Sequence, residues 1–243
     1  MHLTKNEILT LFNATVDNCK ELFNSAHHTV FKYEGKKYVS LGIAELALEE
    51  LGKSYSLLAY YSRPEKEVDW KQFWKDWRAH DVKAARGFFY EFFCTVRLVI
   101  SDPETPMFDQ IIPREKFSVE KELAFYVDID KGSRAIHIPE RDISDLEVMN
   151  RVTSLIGLLN PALYIKDWLN SDQPNSFKNA ISDYAYITLT EDVYQQDVRD
   201  ILDHLKTNTD TDYDHALEEI WNLFNPDKLS GEEDEDLRGQ ING

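Results

Sequence analysis

A chain of 243 residues, of which 42% are hydrophobic and 12% aromatic, can bury a full-sized core, so its composition excludes an intrinsically disordered protein. The sequence has no apolar run long enough to cross a bilayer and no signal-peptide pattern, and Cys19 and Cys94 lie in no zinc-like spacing. We therefore expect a cytoplasmic protein with reduced thiols, without a membrane segment, a metal ion or another cofactor.

The net charge of −17 argues against loose, charge-driven binding of nucleic acid, but the charge is unevenly distributed. Residues 1–100 carry 14 Lys and Arg against 13 Asp and Glu, and residues 101–171 carry 8 against 13. Residues 172–243 carry 5 against 18. The acidity thus belongs mostly to the last third, which either favours solubility or covers or mimics a binding partner.

Helical periodicity predicts three helices in the first hundred residues. A capping box at Thr4–Glu7 begins the first helix, and Pro64 ends the second. The third carries a stripe of aromatic residues, which is typical of a helix that packs into a core or against a second helix. The predicted bounds are 4–26 for the first helix, 40–62 for the second and 68–100 for the third, with a loop at 30–39.

The second half begins with a proline-containing connection at 101–117. Two short segments, Leu123–Asp128 and Arg134–Ile138, then flank a turn sequence and predict a small β-hairpin. A capping box at Ser144–Glu147 begins a fourth helix at about residue 145. Pro161 is expected to kink or restart this helix, because proline lacks the amide that the helix needs.

The organisation predicted for the whole chain is an all-α bundle with a small inserted β-hairpin and a C-terminal helical extension. A linker at 170–176 separates the bundle from this extension, and the tail is rich in glycine and acidic residues. The fourth helix is predicted to end near residue 169, and the extension to contain helices at 177–188, 191–206 and 212–224. The predicted domains are 1–170 with the hairpin at about 122–138, an acidic extension at 171–229, and a disordered tail at 230–243.

Three stretches of the sequence resemble AbiV-type abortive infection proteins. Leu41–Lys53 is similar to a helix that carries the letters EELGK in that family, and Trp70–Lys83 to its aromatic helix ending in His-x-x-Lys. Leu123–Pro139 resembles a segment with the letters YVD and a following proline. The resemblance covers about residues 5–170 and leaves residues 172–243 outside it.

This resemblance implies an antiparallel helical bundle of the HEPN superfamily, a homodimer, and a role in bacterial phage defence. Many HEPN proteins are metal-independent ribonucleases with an Arg-x(4–6)-His motif, and AbiV-type proteins are associated with stopping translation. The implied partners are RNA or a ribosome-associated target, with a phage-encoded activator or a neighbouring antitoxin as further partners.

The first candidate site lies on the second and third predicted helices. RNA cleavage without a metal needs groups that transfer protons and a cation for the phosphate, and histidine and lysine suit these roles. His80 and Lys83 share one helix face, since they are three residues apart. In the purely structural alternative, His80 is a hydrogen-bonded core histidine and Glu49 pairs with Lys53. The candidate catalytic residues are His80, Lys83, Glu50, Lys53 and Arg78.

The alternative catalytic set is Arg199, Asp200 and His204, which fits the Arg-x4-His pattern. A five-residue separation on a helix turns the two side chains apart by about 140°. The neighbouring aspartates would also repel phosphate, and the segment lies outside the resemblance. A plain amphipathic helix is the competing interpretation.

Two functions of different classes follow from these observations. The first is a phage-defence effector that cleaves RNA as a metal-independent HEPN-type ribonuclease. The second is a non-catalytic effector that binds a ribosomal or phage component, and a helical antitoxin or scaffold without activity is a further interpretation. The sequence has no phosphate-binding glycine loop, nucleophile elbow or HExxH motif, so ATP-dependent and zinc-hydrolase functions have no support.

Overall fold

A computed structural model describes residues 1–32, 37–63, 67–90, 121, 124–126, 128–129, 133–172 and 175–190. These residues are mostly helical, which confirms the predicted all-α class. The helices and strands of the described residues are α1 (Lys5–Lys32), α2 (Lys37–Tyr60), α3 (Trp70–Arg78), α4 (His80–Gly87), β1 (Asp128–Ile129), β2 (Ile136–His137), α5 (Pro139–Asp142), α6 (Asp145–Leu169) and α7 (Asn175–Thr190).

Helix α2 lies at the centre of the bundle, in contact with α1, α4, α6 and α7. Leu48, Leu51, Tyr55 and Leu58 are all fully buried along it. A helix surrounded in this way is apolar on most of its circumference, which is what its sequence shows. The polar residues that α2 also buries therefore need partners from the helices around it.

The prediction of a loop at 30–39 is wrong for residues 30–32 and 37–39, which are helical. Helix α1 continues to Lys32, and α2 already begins at Lys37. Val30 is 7% exposed and belongs to the hydrophobic core, so its burial favours the extra turn of α1. His27, which the sequence places beyond the end of α1, lies inside the helix with its ring centroid 4.6 Å from that of Phe31.

The single helix predicted at 68–100 is also wrong, because the chain breaks at Ala79. This residue has extended dihedral angles, φ −79° and ψ 117°, and separates α3 from α4. Arg86 on α4 reaches back to Asp76 on α3, with Nη2 2.5 Å from Oδ2, and holds the two helices together across the break. The part of the predicted helix at 91–100 lies outside the described residues.

The predicted hairpin is confirmed as a two-stranded antiparallel ribbon of only two residues per strand. Asp128 lies opposite His137, and Ile129 lies opposite Ile136. The ribbon leads into the short helix α5 and then into α6.

Ser144 caps the start of α6 as predicted, with the Glu147 amide donating to Ser144 Oγ at 3.2 Å. Helix α6 then continues through Pro161 without a restart. Of the two predicted alternatives, a kink or a restart, the restart at this proline is therefore wrong.

Helix α7 corresponds to the helix predicted at 177–188 and packs on α2. Its Thr188 hydroxyl lies 2.5 Å from Tyr55 Oη, and Ser62 Oγ donates to its Asp183 carboxylate at 2.6 Å. Ala185 of α7 belongs to the same hydrophobic core as α2. The division of the chain at residue 170 remains a prediction. The connection at 101–117, the helices at 191–206 and 212–224, the tail from 230, and Cys94 lie outside the described residues.

Gly52 determines how closely α4 approaches α2. A Cβ built on this residue would overlap the backbone carbonyl oxygen of Lys83, so the two helices touch at a point that admits no side chain. This contact fixes the position of Lys83 along the axis of α2, at the level of Gly52. Gly87, at the end of α4, approaches the preceding turn of α2 in the same way, since a Cβ built on it would lie 2.6 Å from the Leu48 carbonyl oxygen.

We predict that Gly52→Ala destabilises the protein by about 2 kcal/mol or more, because the backbone of α4 must move away and core contacts are lost. Gly157→Ala is the matched control: the same change, in open space on α6, should stabilise the helix by about 0.5–1 kcal/mol. Urea unfolding followed by circular dichroism measures both. A Gly52→Ala protein as stable as the wild type would contradict the close approach.

Candidate functional site

The contact between α2 and α4 brings three chemically active side chains together. Glu49 lies on α2 three residues before Gly52, and therefore on the same face as the contact with α4. His80 and Lys83 lie on the first turn of α4 and face it. Lys121, which lies further along the chain than α4, completes the cluster. We refer to Glu49, His80, Lys83 and Lys121 as the Glu49 cluster.

The Glu49 carboxylate is 6% exposed and accepts from all three partners. Its Oε2 lies 2.8 Å from His80 Nδ1 and 3.1 Å from Lys83 Nζ, and its Oε1 lies 2.8 Å from Lys121 Nζ. Burial raises the pKa of Glu49, but the hydrogen bonds from Lys121, His80 and Lys83 outweigh burial and hold its pKa below the usual range. The carboxylate is therefore ionised at neutral pH.

His80 is the accessible member of the cluster, since its side chain is 56% exposed. It is not the core histidine of the structural alternative. Its Nδ1 has two neighbours that require opposite tautomers: Glu49 accepts from a protonated Nδ1, whereas Lys121 Nζ, 3.0 Å away, donates to a bare Nδ1. With the proton on Nδ1, Nε2 can accept a proton, and with a bare Nδ1 it donates one.

Lys83 is buried, with a side chain that is 8% exposed, and its ammonium lies against Glu49. A buried ammonium in this position neutralises the carboxylate. The predicted site residue Lys83 thus lies in contact with the Glu49 carboxylate. Its burial makes it a supporting group rather than a phosphate ligand.

Glu50 and Lys53 form an ion pair with each other on α2, one turn apart. The structure thus pairs Lys53 with Glu50, and the predicted Glu49–Lys53 pair is wrong because Glu49 is turned towards α4. Lys53 Nζ also lies 5.6 Å from the centroid of the Trp77 ring. This pair adjoins the Glu49 cluster without joining it.

Arg78 ends α3 two residues before His80 and is exposed. Its Nε donates to the backbone oxygen of Trp74 at 2.9 Å, which holds the side chain along α3. The guanidinium is therefore available on the surface beside the start of α4. The alternative residues Arg199, Asp200 and His204 lie outside the described residues.

Sequence reasoning missed Lys121 entirely. This lysine stands in a run of mixed charges without periodicity, Arg114 to Glu122, so nothing in the pattern distinguishes it from a solvated surface residue. It also missed that Glu45, one turn before Glu49, is buried and paired with Arg151 of α6, with Nε 2.5 Å from Oε1. A glutamate on a predicted core face is the signal that could have indicated such a pair.

Among the residues that the structure describes, no group of His, Cys, Asp and Glu side chains could hold a metal ion. The Glu49 cluster contributes one carboxylate and two ammonium groups, a set that favours an anion over a cation. No helix in the described part of the chain is both long and apolar enough to cross a membrane.

The model of the HEPN_AbiV family, described as AbiV, matches residues 7–153, which is more than half of the chain and includes the whole Glu49 cluster. No curated protein matches the chain, and no solved structure does.

We predict that Glu49→Gln lowers stability at pH 7 by about 3 kcal/mol, because it leaves buried Lys83 without its counter-charge. The pKa of Glu49 is lower in the folded protein than in the unfolded chain. The stability that the ionised carboxylate contributes is therefore fully present above the unfolded-state pKa of about 4.5, and it is lost as the pH falls through the folded-state pKa. The difference between wild type and variant should therefore shrink on acidification. Denaturant unfolding between pH 7 and pH 3 measures it.

Glu21→Gln, at an exposed position on α1, is the matched control and should unfold as the wild type does at each pH. A Glu49→Gln protein whose stability deficit is constant down to pH 3 would contradict an ionised, hydrogen-bonded Glu49.

Proposed function

The chain belongs to the AbiV family of the HEPN superfamily, and from this premise we propose that it is an abortive-infection effector that cleaves RNA without a metal ion. The family itself points to phage defence. The observation that carries the enzymatic part is the hydrogen bond between the buried Glu49 carboxylate and the exposed His80. An accessible imidazole held by a buried carboxylate is an arrangement that suits proton transfer.

In this proposal His80 is the catalytic base. With Nδ1–H donating to Glu49, Nε2 takes the proton of a ribose 2′-hydroxyl, and the 2′-oxygen attacks the neighbouring phosphorus. The bond to the 5′-oxygen then breaks, and this oxygen leaves with a proton from a second group. The products are a 2′,3′-cyclic phosphate and a 5′-hydroxyl end, and no metal ion takes part.

Glu49 acts in this proposal as a positioning residue, since it contacts the imidazole and not the RNA. It orients the ring and stabilises the positive charge that the ring acquires when it accepts the proton. Lys83 in turn keeps Glu49 ionised inside the bundle. Lys121, with a side chain that is 17% exposed and an Nζ 3.0 Å from His80 Nδ1, supports the negative charge on the phosphorane.

The second proton-transfer group is proposed to come from another copy of the chain. One cluster supplies one accessible imidazole, whereas the reaction needs a base and an acid. The resemblance to AbiV-type proteins implies a homodimer. In this dimer, His80 of the second copy would protonate the leaving oxygen. Arg78 and Lys53 are then available for phosphate contacts at the edge of the site.

A second candidate function is that of an effector that stops growth by binding a ribosomal or phage component. Exposed apolar side chains near the hairpin favour it: Tyr126 is 64% exposed, Ile136 55% and Leu146 69%. Such side chains are typical of a protein contact. This candidate requires no chemistry from the Glu49 cluster.

We predict that His80→Ala lowers RNA cleavage by at least about 100-fold while the protein stays folded, because it removes the general base from an exposed position. The measurement is cleavage of total bacterial RNA in excess chelator, with the new ends mapped for a 2′,3′-cyclic phosphate. His27→Ala, at an exposed position on α1, is the matched control and should retain activity.

Full activity of His80→Ala would refute the assignment of the base. Loss of cleavage only in His204→Ala would move the site to the Arg199, Asp200 and His204 set. Growth arrest on expression without RNA cleavage by the wild type would favour the non-catalytic effector.

A further inference from the structure

The outer face of α3 carries three exposed cations in one line. Lys71, Lys75 and Arg78 are exposed, and at 100° per residue they fall within an arc of about 60°. With a rise of 1.5 Å per residue they extend over about 10 Å along the helix. We refer to Lys71, Lys75 and Arg78 as the α3 stripe.

Two acidic residues near the α3 stripe, Asp76 and Asp69, make other contacts. Asp76 is the acidic residue within α3, and its side chain is 13% exposed and ion-paired with Arg86. Asp69 caps the helix, with its carboxylate accepting from the Lys71 amide at 3.1 Å and the Gln72 amide at 3.0 Å. The stripe therefore presents positive charge without a carboxylate among the exposed residues of α3.

Aromatic rings flank the stripe. Trp74 and Trp77 are half-buried, and the Trp77 ring stacks on Phe73 while Lys53 Nζ of α2 lies 5.6 Å from its centroid. Partly exposed aromatic residues beside a line of cations are a combination with which proteins bind single-stranded nucleic acid, because cations follow the phosphates and aromatic rings stack on bases.

The stripe leads to His80. Arg78 is the last residue of α3, and the extended Ala79 places exposed His80 directly after it at the start of α4. An extended strand that follows Lys71, Lys75 and Arg78 in this order therefore arrives at the imidazole.

We propose that the α3 stripe binds the phosphate backbone of a single-stranded RNA and directs it to His80. This inference rests on the proposed ribonuclease function and names its substrate class as single strands. Charge complementarity selects the occupant, since the stripe is basic in a chain with a net charge of −17. The competing occupant with the same charge is the acidic last third of this chain, residues 172–243.

The test measures binding without cleavage. The full chain carrying His80→Ala is titrated with a fluorescent single-stranded RNA of mixed sequence between 50 and about 300 mM salt. The double variant Lys71→Gln, Lys75→Gln should bind the RNA more weakly. The plot of log association constant against log salt concentration should also become less steep by about 1.4, since each phosphate contact on a single strand contributes about 0.7. Lys20→Gln with Arg134→Gln removes the same charge from exposed positions on other elements and should leave the slope unchanged.

The outcomes separate this inference from the proposed function. A less steep salt dependence in the stripe variant supports RNA binding by the α3 stripe even if the wild type cleaves no RNA. An unchanged slope overturns it even if the wild type does cleave RNA. Tighter RNA binding by the stripe variant would also overturn it, because it would mean that the acidic segment and not RNA occupies the stripe.

Discussion

A carboxylate buried between two helices is the constraint on which the rest of the site depends. Glu49 is 6% exposed, and an ionised group at that depth is stable only with partners that neutralise it. Lys83, His80 and Lys121 supply them, from α4 and from a stretch far along the sequence. The requirement to satisfy one carboxylate therefore holds three separate pieces of the chain in a fixed arrangement, and that arrangement is the candidate site.

The central position of α2 explains why this carboxylate is buried at all. Because α1, α4, α6 and α7 surround α2, its two glutamates one turn apart, Glu45 and Glu49, both lie in the interior. Arg151 neutralises the first from α6, and its guanidinium also lies 5.7 Å from the ring centroid of Phe88. One turn of α2 thus carries a structural ion pair and the next carries the pair that holds an exposed histidine. Only the second has a solvent-accessible proton-transfer group.

Local patterns predicted most of the fold and half of the site. The capping boxes at Thr4–Glu7 and Ser144–Glu147, the central helix and the hairpin were readable because each depends on neighbours in sequence. The spacing of His80 and Lys83 indicated one face for the same reason. Lys121 and the turn of Glu49 towards α4 were not readable, since both depend on tertiary contacts between distant segments. The break at Ala79 belongs to this class too, because no glycine or proline marks it.

That break has a consequence for the chemistry. In an uninterrupted helix, His80 would continue the apolar stripe of Phe73 and Ala84, both of which are 2% exposed. The extended backbone at Ala79 changes the direction of the chain just before His80, and the imidazole is instead 56% exposed while Nδ1 still contacts Glu49. The ion pair between Asp76 and Arg86 spans the break and stabilises it. The feature that made the third predicted helix wrong is thus the feature that gives the buried carboxylate an accessible histidine.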